Sequence, residues 1–228
     1  MSNIICKALD EGRRILLEPE AKTLCLQYSI PVPKFKVALN LEEAVRASEE
    51  IGFPVVVKII SRDIIHKSDA GCVKLNVENP EAVREAYKQV TENALKFYSK
   101  AKIEGVLVEE MLPRGIEVAV GGIKDVEFGP TVMFGLGGVF IEVLKDMSFR
   151  VAPISEDEAR EMIREVKGFK LLQGYRGIKP VDLNVLAEIL VKTSRLLLEN
   201  PEINQLDFNP IICWNGNAKV ADARIIIG

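Results

Sequence analysis

The stretch SRDIIHKSDAG, residues 61–71, contains His66, the one histidine of the chain. A neutral imidazole is a competent nucleophile near neutral pH. The same residue in a polar loop is also ordinary surface material, and the residues alone leave both readings open. Just upstream, VVVKII sets Lys58 inside an apolar run. Lysine is rarely buried without a partner. Its ammonium must therefore meet a phosphate, for which it is a compact point charge, or a carboxylate, or water reached by snorkelling at a sheet edge. The small residues of SDAG, including Ser68 and Gly71, let backbone N–H groups converge on an anion or simply make a turn.

A second group follows in VLVEEMLPRGIEVAVGG, residues 106–122. It reads as a strand ending in Glu109 and Glu110, a short turn, and a strand carrying Glu117. Exposed backbone at a strand end pairs with an adenine edge, and a nearby carboxylate accepts from an amino group or a ribose hydroxyl; the alternative is a solvated hairpin. FGLGG, residues 134–138, places Gly135, Gly137 and Gly138 where backbone can approach a ligand closely or form a tight turn. Lys145 and Arg150 follow within reach of that region, and Arg150 suits bidentate contact with phosphate.

The C-terminal stretch INQLDFNPIICWNGNAKVADARIII reads as a hairpin about Asn215-Gly216. Centring the turn there opposes Asn209 to Asp222 and Asp207 to Arg224. With a side-chain period of two, all four share one sheet face. Directly opposed Cβ atoms lie about 5 Å apart, so Asn209 and Asp222 can grip one hard cation, with Asp207 joining directly or through water. The other reading is a solvated hairpin with an Asp–Arg pair.

These residues need a scaffold. The periodicities predict mixed helix and strand: helices over 12–28, over 40–51 capped by Asn40 with Glu43, over 80–98 capped by Asn79, from Ser155 with Glu158, and over 181–199. Strands are expected at VVVKII, 103–111, 116–123 and 129–134. Two lobes meeting near residue 105, with a cleft between them, are anticipated. Of 228 residues, 48% are hydrophobic and 6% aromatic, enough for an aliphatic core. Thirty basic against 33 acidic residues leave −3, with no long run of either sign, which argues against nucleic acid as partner. No apolar run of 18 and no leader pattern is visible, so no membrane partner and a cytoplasmic location are expected. Cys6, Cys25, Cys72 and Cys213 lack CxxC spacing and read as buried thiols in a reducing compartment.

The order of the pieces resembles an ATP-grasp domain: strand lysine, small-residue loop, VEEM with a later glutamate, glycine-rich strand, then D-x-N-P and a final aspartate. The segments EPEAK, YSIPVP, GFPVVVKIISRDIIHKSDAG, EEMLPRGIEVAVGG, FGLGGVFIEVLKDMSFRVAPI, LLQGYRG, PVDL and LDFNPI extend this over nearly the whole chain. Together they resemble the β subunits of the nucleoside-diphosphate-forming acyl-CoA synthetase family, of the ADP-forming acetyl-CoA synthetase type.

That resemblance implies an α/β (α+β) ATP-grasp fold of two lobes with the nucleotide in the cleft between them. It implies a single domain over 1–228, with lobes 22–105 and 106–228 and a leading helix in 1–21. The implied reaction is acyl-CoA + ADP + phosphate to carboxylate + CoA + ATP through phosphohistidine intermediates, with ATP/ADP and Mg²⁺ bound. The implied partner is an α subunit carrying the CoA-binding domain and a swinging phosphohistidine loop, in an α₂β₂ heterotetramer.

Among the residues, His66 is implied as the phosphoryl relay. Lys58 would hold the nucleotide phosphates beside Ser68 and Gly71, Glu109, Glu110 and Met111 would lie at the adenine, and Glu117 near the ribose. Gly135, Gly137, Gly138 and Arg150 would receive the visiting phosphohistidine. Asn209 and Asp222 would ligate Mg²⁺, with Asp207 either supporting the metal or positioning the histidine. Asp207 stands where succinyl-CoA synthetases carry glutamate, and Gly71-Cys72 replaces the frequent Gly-Gly pair. The rival readings are a stand-alone ATP-grasp carboxylate ligase and a non-catalytic nucleotide-sensing subunit.

Overall fold

The computed structural model describes residues 2–138, 145–174 and 179–228. Parts of the expected segments FGLGGVFIEVLKDMSFRVAPI and LLQGYRG lie outside the described residues. Met1–Val32 together with Pro113–Gly228 form one compact unit, and Pro33–Leu112 form another.

The chain begins with α1 (Asn3–Asp10), whose N-terminus is capped by the Ser2 hydroxyl. The helix expected over 12–28 starts only at Glu18, as α2 (Glu18–Gln27). Gly12 takes φ +70°, a left-handed conformation that ends α1. Ile15 then bridges to Ile226, and the Leu16 N–H donates to the Ile225 carbonyl at 3.0 Å. Extended pairing thus wins over helix until Pro19, which suits a first helical turn.

The smaller unit runs β1 (Phe35–Ala38), α3 (Leu41–Ile51), β2 (Val55–Ser61), β3 (Val73–Val77), α4 (Pro80–Phe97) and β4 (Ile103–Glu110). Its caps are the expected ones: the Asn40 side chain accepts from the Glu43 N–H at 2.9 Å and that of Asn79 from the Ala82 N–H at 2.8 Å. Glu43 reaches back to the Leu39 N–H at 2.7 Å. The strands form an antiparallel sheet in the order β1-β4-β2-β3. Val55, Val57, Ile59, Val106 and Val108 pack against Ala44, Val83, Ala86 and Val90 of α3 and α4. Every residue of β2 is buried, as its unbroken apolar run predicts.

The larger unit continues through β5 (Ile116–Asp125), β6 (Gly129–Leu136), β7 (Met147–Val151), α5 (Glu156–Glu165), the single turn α6 (Phe169–Leu172), α7 (Leu183–Glu199), β8 (Ile203–Trp214), β9 (Asn217–Val220) and β10 (Ala223–Ile227). The sheet order is β10-β8-β5-β6-β7, with β9 also on β8. Ser155 and Glu158 make the expected reciprocal capping box of α5. Helices α5 and α7 pack against one face of the sheet. A Cβ on Gly122 would come within 2.6 Å of Leu197 of α7, so this glycine lets the helix press onto the strand. Among the described residues no helix is long and apolar enough to cross a membrane.

Candidate functional site

In the smaller unit, β2 and β4 pair Val56 with Glu109 and Lys58 with Leu107. Lys58 and Glu109 are therefore diagonal neighbours on the sheet face turned away from the Val55–Val57–Ile59 core. Their side chains, 9% and 2% exposed, form an ion pair with Nζ–Oε2 at 2.9 Å. The carboxylate partner left open by the sequence is thus present, and it joins two residues expected at opposite ends of a nucleotide. Beyond Glu109, the Glu110 carboxylate accepts from the Lys34 N–H at 3.1 Å. The Met111 N–H donates to the Pro54 carbonyl at 3.2 Å. The strand-end backbone expected to be open to an adenine edge is in this part already hydrogen-bonded.

His66 and Ser68 are exposed. They lie on a single helical turn closed by Gly71 at φ +66°. Cys72 N–H donates to Lys67 O at 2.8 Å, Gly71 N–H to Ser68 O at 3.0 Å and Ala70 N–H to His66 O at 3.2 Å. That is the Schellman pattern with glycine at its left-handed position. The cradle expected from SDAG is corrected here: the N–H groups of residues 70–72 face inward because the turn itself needs them. Asn93 of α4 pins the turn, donating to the Gly71 carbonyl at 2.7 Å. Cys72 is buried behind it.

In the larger unit, one of the expected glycines, Gly137, meets Glu117. The Gly137 N–H donates to the Glu117 carbonyl at 2.8 Å. A Cβ on Gly137 would lie 2.9 Å from the Glu117 Cβ and 3.1 Å from its carbonyl carbon, so only glycine fits. Gly135 pairs with Ala119 and with Met147, and Gly138, at φ +61°, is exposed. By strand alternation Glu117, Ala119 and Gly121 share the face opposite α7. A cavity of about 240 Å³ on that face is lined by Ala119, Gly121, Met133, Met147, Asp207 and Asn209 among others.

The hairpin register is as derived. Trp214 pairs with Asn217 across Asn215-Gly216, both turn residues at positive φ. Ala221 N–H reaches Pro210 O at 2.9 Å and Asn209 N–H reaches Asp222 O at 3.2 Å. Asp207 pairs with Arg224. On the β5 side of β8 the register shifts by one residue between Val118 and Val120. This is a bulge at Asn209-Pro210, where a proline costs a central strand no ladder bond.

Burial pushes the Asp207 carboxyl above the usual range, and Arg224, with Nη2 at 3.6 Å, pulls it partly back. Two carboxylates and one amide oxygen make an all-oxygen donor set, and Oδ1 of Asp222 is buried. These residues fit a hard divalent cation. Among the described residues no group of three or more His, Cys, Asp or Glu gathers, here or elsewhere.

Arg150 is a correction. It pairs with Val132, whose side chain is on the helix-covered face, so Arg150 points away from Gly135 and Glu117. Its fork grips Glu165 of α5, with Nη1–Oε2 at 3.0 Å, and these hydrogen bonds hold the Glu165 carboxyl below the usual range. Alternation along β7 decides this, and the sequence showed only proximity. Lys145 is exposed.

Sequence reasoning also passed over two residues that hold the others: Asn93, and Lys22 of α2. Lys22 is fully buried, pairs with Glu18 at 3.1 Å, and donates to the Ala221 carbonyl at 2.9 Å. The i,i+4 spacing of Glu18 and Lys22 in EPEAK was the available signal.

Residues 7–227 match the ATP-grasp domain family. The chain is 55% identical over 224 residues to the β subunit of acetate–CoA ligase [ADP-forming] I from Pyrococcus furiosus, covering 98% of this chain and 96% of that one. The dinucleotide-forming acetyl-coenzyme A synthetase 1 of Ca. Korarchaeum cryptofilum, solved with coenzyme A, Ca-AMPCP and HgCl⁺, superposes with a TM-score of 0.98 at 50% identity, covering 99% of both chains. A second structure of that enzyme contains coenzyme A and Mg-AMPPCP, with its phosphohistidine segment pointing towards the nucleotide binding site. It gives a TM-score of 0.88 at 48% identity over 99% of both chains. The chain belongs to the ATP-grasp family and, within it, to the β subunits of the ADP-forming acetate–CoA ligases.

Proposed function

We propose that this chain is the nucleotide-handling β subunit of an ADP-forming acyl-CoA synthetase, acting in acyl-CoA + ADP + phosphate ⇌ carboxylate + CoA + ATP. The end-to-end match to an acetate–CoA ligase β subunit carries the reading. Its partner is an α subunit that supplies CoA binding and a phosphohistidine segment, in an α₂β₂ assembly in the cytoplasm. The β-subunit name of the relative supports the partner, and four free thiols suit a reducing compartment.

His66 is the relay. Its exposure on a pinned turn leaves the ring open to a visiting group. The unprotonated ring nitrogen forms a new N–P bond as the partner's N–P bond breaks; the ring gives its remaining N–H proton to water, and the partner's departing imidazole takes one up. The terminal oxygen of ADP then takes the phosphoryl group, the His66 N–P bond breaks, and the ring regains a proton. Lys58 shares its charge between Glu109 and a nucleotide phosphate, while Met111 and Glu110 flank the base and Glu117 the ribose. Gly135, Gly137 and Gly138 leave the backbone bare for the phosphohistidine segment. Asp207, Asn209 and Asp222 would hold Mg²⁺, which when bound offsets phosphate charge and orients the diphosphate.

The test is phosphate labelling of the complex purified with its α subunit. Acid-labile label is expected on both the partner and His66. His66→Ala should lower ADP-dependent phosphoryl exchange by roughly 10³-fold or more without changing the melting temperature. Unaltered turnover in that variant would leave a nucleotide sensor as the better reading.

A further inference from the structure

Among the described residues, the fully buried large side chains include a lysine, Lys22. A buried ammonium is costly unless held by several partners, and the partners of Lys22 lie around one corner of the fold. Its Nζ donates to the carbonyl of Ala221 at 2.9 Å and pairs with Glu18, one turn back on α2, at 3.1 Å. Ala221 is the residue before Asp222, in the corner between β9 and β10. The chain after α2 grips the same corner again, Val220 N–H donating to the Pro31 carbonyl at 2.8 Å. From the other side, Ala221 N–H and Asp222 O are bound by Pro210 O and Asn209 N–H. The short stretch 220–222 is therefore tied on two sides, and α2 supplies one of them through a side chain.

We infer that Lys22 is a positioning residue for the cation site, fixing the Ala221–Asp222 backbone so that the Asp222 carboxylate and the Asn209 amide meet one divalent ion. This rests on the metal role of Asp222 given above. Residues behind metal ligands set ligand orientation, and their loss costs about 10–100-fold in metal affinity. Glu18, 3% exposed in its side chain, balances the charge of Lys22 and completes a Glu–Lys–carbonyl strut. EPEAK thereby acquires a role. Pro19 starts the helix and Glu20 takes the Arg13 fork at 2.7 and 2.8 Å. Glu18 and Lys22 reach the hairpin corner.

The experiment is calorimetric titration of the full-length chain with ADP, in Mg²⁺ and in chelator, for the wild type, Asp222→Asn and Lys22→Met. Melting curves establish that each variant is folded. Lys22→Met should weaken the Mg²⁺-dependent part of ADP binding by about tenfold or more and leave chelator binding within about twofold of wild type. A folded Lys22→Met chain with wild-type Mg²⁺ dependence, beside an Asp222→Asn chain that has lost it, overturns the inference and leaves the metal site standing. Unchanged Mg²⁺ dependence in Asp222→Asn overturns the metal site and the inference together. Equal loss with and without Mg²⁺ in Lys22→Met also overturns it, since that is general damage to the fold. Lys22→Gln keeps a donor on a shorter arm and serves if the methionine variant does not fold. A loss confined to the Mg²⁺ arm supports the strut, and no loss overturns it.

Discussion

The two compact units treat their chemical groups differently. In the smaller, Lys58 and Glu109 satisfy each other at 2.9 Å inside the sheet. The N–H groups of residues 70–72 close a turn, and the imidazole of His66 stands exposed on it. In the larger, Asp207 and Asn209 line a cavity on a sheet face kept low by Ala119 and Gly121, and Gly137 lies flat against Glu117. One unit buries a paired lysine and glutamate in its sheet and leaves an imidazole exposed on a closed turn. The other presents oxygen donors and bare backbone. Neither kind of surface could be inferred from the charged residue types alone, since both units carry many glutamates and lysines.

Breaking the frame should produce the largest effect on stability. Lys58→Met leaves a carboxylate buried at 2% exposure without this cation and should destabilise the chain by about 3–5 kcal/mol in urea unfolding. The double variant Lys58→Met/Glu109→Leu should recover most of that loss. A single variant no worse than a surface substitution would mean that the pair is solvated and the contrast is false.

The bare backbone of the larger unit is probed by Gly137→Ala. Its methyl must displace the Glu117 strand, at an expected cost of about 1–3 kcal/mol and with weaker ADP binding. An unchanged melting temperature and unchanged binding would show that close approach is not what the glycine provides.

The smallest effect is expected at Asp207. Burial raises its carboxyl pKa, so the folded state holds the proton more tightly than the unfolded chain. The stabilisation from protonation is full below the ordinary aspartate pKa and is lost as pH rises through the raised value. At neutral pH the charged group therefore opposes folding. Asp207→Asn should raise the metal-free melting temperature at pH 7 by about 1–3 °C and flatten its decline with pH above the aspartate range. A lower melting temperature would show that the attraction of Arg224 outweighs desolvation.

What could be read from the sequence was whatever local geometry dictates. A cap is settled within three residues, so Asn40, Asn79 and Ser155 are where their neighbours predict. A two-residue turn at Asn215-Gly216 sets every pairing that follows it. The register consequently held from Trp214–Asn217 past Asn209–Asp222 to Gln205–Ile226, about ten residues of β8. The helix misplaced over 12–17 failed where a contact more than 200 residues away, Ile15 with Ile226, overrode local preference. Arg150 failed because one step of alternation on β7 put it on the α5 face. The sequence by itself thus determined three helix caps, the strand at VVVKII and the hairpin that opposes Asn209 to Asp222 and Asp207 to Arg224. Only the tertiary structure decided which carboxylate Lys58 meets, which face Arg150 takes, and that Lys22 reaches a carbonyl 199 residues away. Turn dihedrals and strand periods act over a few residues, whereas the partner of a buried charge depends on which strands and helices pack side by side.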